Sequence, residues 1–270
     1  KNSLELRNLR IAFSDYAKRE TQAVKGLNLT LPKGKIVALV GESGCGKTVT
    51  SLAVMNLLKG SAKISGEIFC NGEAIHQMSE KQRQNCNGRL FGMIFQEPVE
   101  ALDPLFTIET QMMEGLRKHR KISKAEGIEI ICEGLRSMNF QAPKEILNKY
   151  PHELSGGMCQ RVMIASVLIQ NVEYLIADEP TTALDVTIQK QILIQLHRLS
   201  REKNIGVLFI THDLATVAEI ADYVYVMKDG ELAEQGNHTA LLEKDGIYAH
   251  MWKDYIKTTK WHIGNEVMTC

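Results

Sequence analysis

The sequence predicts an α/β protein: a mainly parallel sheet, preceded by an antiparallel β unit and interrupted by a helical insertion. Three observations carry that prediction. Short, continuous apolar runs, IVALV at 36–40 and YLIADE at 174–179, suit strands buried on both faces. From 172 onward such runs alternate with helical periodicity, as parallel βαβ units require. Between 107 and about 150 strands vanish, and charged and apolar residues recur at helical spacing.

Taken in order, LELRNLRIAF (4–13) and VKGLNLTL (24–31) alternate in polarity and read as strands, with a turn at PKGK (32–35). IVALV follows as a buried strand, then a helix from 47 to about 58. GEIFCNGEAI (66–75) predicts a hairpin around Asn71-Gly72, and GMIFQEP a strand ending at Gln96. The insertion occupies about 107–160. Beyond it come the YLIADE strand, a helix over 186–202, a strand in IGVLFITHD (205–213), a helix over 214–221 and a hairpin in YVYVMKDGELAEQG (223–236). The expected organisation is one domain over 1–270, with 1–106 and 161–236 as its core and 237–270 as a short helical tail.

Bulk properties narrow the function. Lys+Arg and Asp+Glu both total 32, so no global basic field attracts nucleic acid or anionic lipid. Cys45, Cys70, Cys86, Cys132, Cys159 and Cys270 are scattered without C-x-x-C spacing, which predicts free thiols rather than a disulfide or zinc framework. The eight histidines show no metal-ligand spacing either. The N-terminal stretch lacks an apolar signal core, and no apolar run approaches the ~18–20 residues of a membrane span. The expectation is a soluble protein that borrows any membrane it works at.

GESGCGKT, 41–48, fits G-x-x-x-x-G-K-[ST] at every fixed position. Glycines there let phosphate oxygens approach the backbone, and the following helix aims its free N–H groups at the same place. The candidate phosphate-binding residues are Gly41, Glu42, Ser43, Gly44, Cys45, Gly46, Lys47, Thr48 and Val49. Lys47 reaches β- and γ-phosphates, and the Thr48 hydroxyl is a ligand for Mg²⁺. Asp178 and Glu179 end a second buried strand, where Asp178 is suited to hold Mg²⁺ and Glu179 to polarise an attacking water. HELSGGMCQRVMIASVLI (152–169) supplies a second glycine-flanked helix N-terminus. One nucleotide does not need two such sites in one chain, whereas two chains facing head to tail do.

Phosphate loop, LSGG and LIADEPTTALD in this order resemble the ATP-binding-cassette (ABC) ATPases, over roughly residues 4–236. The resemblance implies the P-loop NTPase architecture of that family and a dimer that sandwiches two ATP molecules. It assigns Ser155, Gly156 and Gly157 to the γ-phosphate across the interface, and Asp185 to a crossing between subunits. Gln96 matches the glutamine that contacts Mg²⁺ and the attacking water. His212 matches the histidine on the γ-phosphate. An aromatic near the N-terminus stacks on adenine in this family; Phe13 and Tyr16 are both candidates. The implied cofactors are ATP and Mg²⁺, with Glu179, His212, Gln96 and Lys47 as the catalytic set.

Finer wording, VGESGCGKTVTSLAVMNLL, IFQEPVEALDPLFTI and YPHELSGGMCQRVMIA, is similar to the oligopeptide/dipeptide/nickel importer ATPases. That implies two permease subunits, a second ABC ATPase that is a paralogue or a second copy, an extracytoplasmic solute-binding protein, and a peripheral place on the cytoplasmic face of a bacterial inner membrane. The alternative, a non-transport ABC ATPase acting on DNA or the ribosome, finds no long heptad run, zinc-binding cysteines or basic tract, so no nucleic acid partner is expected. The tail departs from the group: many members carry a longer extension with an HPYT-like stretch, and some carry cysteines for an iron–sulfur cluster. Cys159 is expected at a partly exposed position of the signature helix.

Overall fold

The computed structural model describes residues 2–14, 19–58, 60, 62–97, 101–182 and 184–266, and side chains as far as 258. Strands β1 (Ser3–Ser14), β2 (Glu20–Pro32), β4 (Ala62–Cys70) and β5 (Glu73–Ala74) form an antiparallel sheet in the order β2-β1-β4-β5. Strands β3 (Ile36–Gly41), β6 (Phe91–Ile94), β7 (Tyr174–Asp178), β8 (Gly206–Ile210), β9 (Tyr223–Lys228) and β10 (Glu231–Gly236) form a second sheet in the order β10-β9-β3-β8-β7-β6. Its strands are parallel except for β10, which pairs antiparallel at one edge.

Period-two alternation explains why β3, β7 and β8 are apolar on both faces. Val37, Leu39, Tyr174, Ile176, Leu208 and Ile210 pack toward the antiparallel sheet and the phosphate-loop helix. Ala38 and Val40 pack with residues of the tail, and Leu175, Ala177, Val207 and Phe209 with the insertion's core. Both hairpins turn where expected. Asn71-Gly72 and Asp229-Gly230 have positive φ at both residues, the conformation that matches the twist of two-residue hairpins.

The helices are α1 (Lys47–Val54), α2 (Glu80–Cys86), α3 (Ile108–His119), α4 (Lys124–Ser137), α5 (Pro143–Leu147), α6 (Gly156–Leu168), α7 (Val186–Glu202), α8 (Leu214–Ile220), α9 (His238–Glu243) and α10 (Ile247–Glu266). Three details differ from the sequence reading. α1 stops at Val54 rather than near 58, because Asn56 turns left-handed (φ 56°) and Leu57 N–H reaches back to the Leu52 carbonyl at 2.8 Å. β6 ends at Ile94, its last pairing with β7, so Gln96 sits beyond the strand. A boundary between 160 and 161 falls inside α6, whose second half is buried in the same cluster as β7 and β8.

Cys159 is 1% exposed, not partly exposed. Its Sγ lies 3.4 Å from the Pro151 carbonyl, on the inward face of α6, and burial pushes its thiol pKa up. The described cysteines are all buried and unpaired; Cys270 lies outside the described residues. No helix among the described residues is long and apolar enough to cross a membrane.

Candidate functional site: a nucleotide cleft at the strand ends

The carboxyl ends of β3, β7 and β8 deliver Gly41, Asp178 and, two residues past β8, His212 to one edge of the parallel sheet, where open α/β sheets bind ligands. A cleft of about 280 Å³ lies there. The loop contributes Gly41, Ser43, Gly44 and Gly46, and α1 contributes Lys47, Thr48 and Val49. Opposite stand Gln96, Asp178, Glu179 and His212, with Ala23 of β2 completing the wall.

Gly46 holds φ 104°, and a Cβ there would come 2.6 Å from the Ala23 carbonyl. Gly41 is tighter still against the Met227 carbonyl. These glycines are therefore fixed twice, by dihedral and by the close passage of β2 and β9. Lys47 folds back so that Nζ donates to the Gly41 and Glu42 carbonyls, each at 2.8 Å. That staples the loop around the ammonium group. Glu42 takes part only through this exposed backbone. Cys45 turns its side chain into the core, and its N–H already bonds to the Glu42 carbonyl at 3.4 Å.

Asp178 is 2% exposed. Burial pushes its carboxyl pKa up and the Glu179 charge adds to this, while a hydrogen bond from Thr48 and the nearby Lys47 charge oppose it. A buried carboxylate, the Thr48 hydroxyl and the Gln96 amide lining one cleft form a hard oxygen donor set, which fits Mg²⁺.

Glu179 is 9% exposed and has φ 48°. Among the described residues with positive φ, every other one is Gly, Asn or Asp. Holding a glutamate there costs about 1–3 kcal/mol and is a known mark of functional sites. The surroundings over-determine it. Its N–H donates to the Ile210 carbonyl at 2.9 Å. Its Oε1 accepts from the His212 backbone N–H at 3.0 Å and lies 2.8 Å from His212 Nδ1. Its Oε2 accepts from the hydroxyls of Thr182 at 3.2 Å and Thr211 at 3.4 Å. The His212 side chain is otherwise open, 74% exposed.

The remaining sequence candidates sit elsewhere. Ser155, Gly156 and Gly157 head α6 outside this cleft, where the Ser155 hydroxyl caps the helix by accepting from Met158 N–H at 3.3 Å. A Cβ on Gly156 would meet nothing within 4 Å. Asp185 caps α7, its Oδ1 accepting from Thr187 and Ile188 N–H at 3.0 Å each. Phe13, near the end of β1, is half-buried and packs against the core between the two sheets, and Tyr16 lies outside the described residues. Sequence reasoning missed Thr182, Thr211, Ala23 and the buried Gln160. Thr211 stands beside His212 in ITHD, Thr182 in ADEPTTALD and Gln160 in LSGGMCQR, so the motifs held all three; Ala23 had no signal.

A family model described as "ABC transporter" matches residues 24–182. The chain belongs to the ABC transporter family. It is an ABC ATPase. Among curated relatives, the oligopeptide transport ATP-binding protein OppD of Bacillus subtilis (strain 168) is 47% identical over 86% of this chain and 65% of its own length. The dipeptide transport ATP-binding protein DppD of the same organism is 44% identical over 86% of this chain and 70% of its own. The glutathione import ATP-binding protein GsiA of Escherichia coli (strain K12) is 44% identical over 87% of this ABC ATPase and 39% of its own length. Among solved structures, a dimeric ATP-binding cassette in a post-hydrolysis state bound to ADP and Pi superposes with TM-score 0.78 at 27% identity, covering 87% of this chain and 98% of that one.

Proposed function

We propose that this ABC ATPase powers a bacterial importer of peptides or a related small solute such as nickel. It works peripherally at the cytoplasmic face of the inner membrane. Its partners are two permease subunits and a second ABC ATPase, a paralogue or another copy, and indirectly an extracytoplasmic solute-binding protein. The import reading rests on the kinship with OppD, DppD and GsiA.

The observation that carries the chemistry is the Glu179 carboxylate, held by three donors and by His212 Nδ1 when that nitrogen carries its proton, at the mouth of a cleft that Lys47 and the glycine loop close from the other side. Lys47 and the loop amides bind the phosphate oxygens, and Thr48, Gln96 and Asp178 are the residues that would hold Mg²⁺. When bound there it would neutralise charge on the phosphate oxygens. Glu179 orients a water and takes its proton, while His212 both positions Glu179 and faces the γ-phosphate. Ser155 and Gly156, exposed, and the half-buried Gly157, all away from this chain's own cleft, suit a head-to-tail pair in which each subunit closes the other's site.

The test is to isolate the protein carrying Glu179→Gln from detergent-solubilised membranes of its source cell in Mg-ATP. Multi-span permease subunits are expected to accompany it, and a second ATPase species in the complex identifies a heterodimer. Recovery of nucleic acid, ribosomes or soluble protein alone overturns the importer reading.

A further inference from the structure

Gln160 has no part in the chemistry above, yet it is 2% exposed in the middle of the molecule. It lies on α6, five residues after Ser155, or ~7.5 Å along the axis at 1.5 Å per residue. Its Nε2 donates to the carbonyl of Pro180. Pro180 is buried and directly follows Glu179, the one cleft residue other than glycine with positive φ. The other anchors of that turn are local to the strand ends: Ile210 takes the Glu179 N–H, and the Glu179 carbonyl accepts from Thr182 N–H at 3.3 Å. Gln160 is the tie that comes from α6.

We propose that Gln160 is a positioning residue for Glu179, tying α6 to the Pro180 carbonyl and so setting the direction of the carboxylate. The consequence is a link within one chain. α6 begins at the Ser155-Gly156-Gly157 segment, whose first two residues are exposed, and reaches, a turn and a half later, the peptide next to the catalytic carboxylate. Whatever engages that segment shifts α6 and, through Gln160, orients the Glu179 of the same subunit. This rests on Glu179 being the group that activates water.

A glutamine that only satisfied a buried carbonyl would stabilise the fold without setting turnover. The experiment compares Gln160→Leu and Gln160→Glu in the full protein, recovered with whatever complex its own cells provide, against the unsubstituted protein and Glu179→Gln. Leucine keeps the volume and removes the donor. It is expected to lower kcat about 10-fold or more, with KM for ATP within about threefold. Glutamic acid donates to the Pro180 carbonyl only when protonated, and burial raises its pKa. The kcat of Gln160→Glu, relative to the unsubstituted protein, is therefore expected to rise about 10-fold as pH falls from 8.5 to 6.

A Gln160→Leu protein with kcat within twofold of normal overturns the proposal. So does a Gln160→Glu ratio that is flat with pH, which remains readable if the leucine variant fails to fold. Glu179→Gln separates the two failures. If it still turns over normally, the catalytic reading falls and this one with it. If it is inactive while the Gln160 variants behave normally, only the positioning role falls.

Discussion

Glu179 concentrates the residue-scale physics of the site. Three donors, and His212 Nδ1 when it carries its proton, converge on one carboxylate whose backbone sits at φ 48°, so strain and hydrogen bonding fix its direction together. Replacing it with glutamine keeps the shape and removes the base. The expectation is a turnover loss of roughly 10²–10⁴-fold, the usual worth of a positioned general base, with ATP affinity kept. Lys47→Ala should do the opposite first. It removes the cation and releases the two loop carbonyls that the ammonium binds, so nucleotide affinity should fall about 10–100-fold, taking ~1.5–3 kcal/mol for hydrogen bonds to a charged group. Equilibrium nucleotide titration and single-turnover hydrolysis of both variants separate the two roles. Near-normal turnover in Glu179→Gln, or unchanged affinity in Lys47→Ala, contradicts the respective assignment.

At the scale of elements, the site depends on how α1 is held at its far end. The last carbonyls of a helix lack internal partners. Here α2 and the turn after it supply them: Arg83 donates to the Ala53 carbonyl at 2.9 Å, and Asn87 to the Met55 carbonyl at 2.9 Å. A cation at a helix C-terminus also complements the dipole whose opposite end faces the phosphate loop. Asn87 in turn accepts from His119 at the end of α3 through its own carbonyl, at 2.8 Å, when that ring nitrogen is protonated. One asparagine thus joins α1 to the inserted helices. Arg83→Ala should cost about 1–2 kcal/mol, or a few degrees of Tm in a chain of this size. Calorimetry checks it, and an unchanged Tm would mean that water replaces the guanidinium without loss.

Across the whole molecule, Asp222 ties three distant pieces of chain. Its carboxylate accepts from Arg201 at the end of α7 at 2.8 and 2.9 Å, from Ile36 N–H at the start of β3 at 2.8 Å, and from Lys35 at 3.3 Å. Burial pushes its pKa up, but the Arg201 hydrogen bonds, the Ile36 amide and the cationic charge outweigh this and hold it below the ordinary aspartate value. Because the folded pKa is depressed, the stabilisation is present above the unfolded pKa near ~4 and is lost as pH falls through the folded value. Asp222→Asn should therefore lower stability at neutral pH by about 1 kcal/mol, the pair being partly exposed. It should also flatten the acid limb of the stability curve below about pH 4. Urea melts at pH 3 and 7 test this; an equal loss at both pH values would sink the ionic account.

The sequence by itself determined the chemistry-bearing turns and the strands under them. GESGCGKT, LSGG and the ADE strand end are local patterns: glycine freedom, helix dipoles and period-two apolar runs act over a few residues and need no partner to be read. The helical insertion and both Asx-Gly hairpins were legible for the same reason. Tertiary structure decided what depends on approach from elsewhere in the chain. The strain on Glu179 is imposed by Ile210, Thr211 and His212 of β8 and the turn after it, the crowding of Gly46 by Ala23 of β2, and the burial of Gln160 and Cys159 by contacts across α6. None of these has a signature in a window of sequence, because each is a meeting of groups 20 or more residues apart or a burial set by the packed neighbours. The pattern along the chain says which groups can do chemistry; only packing fixes the direction in which they point, and direction is what lets a carboxylate select one water.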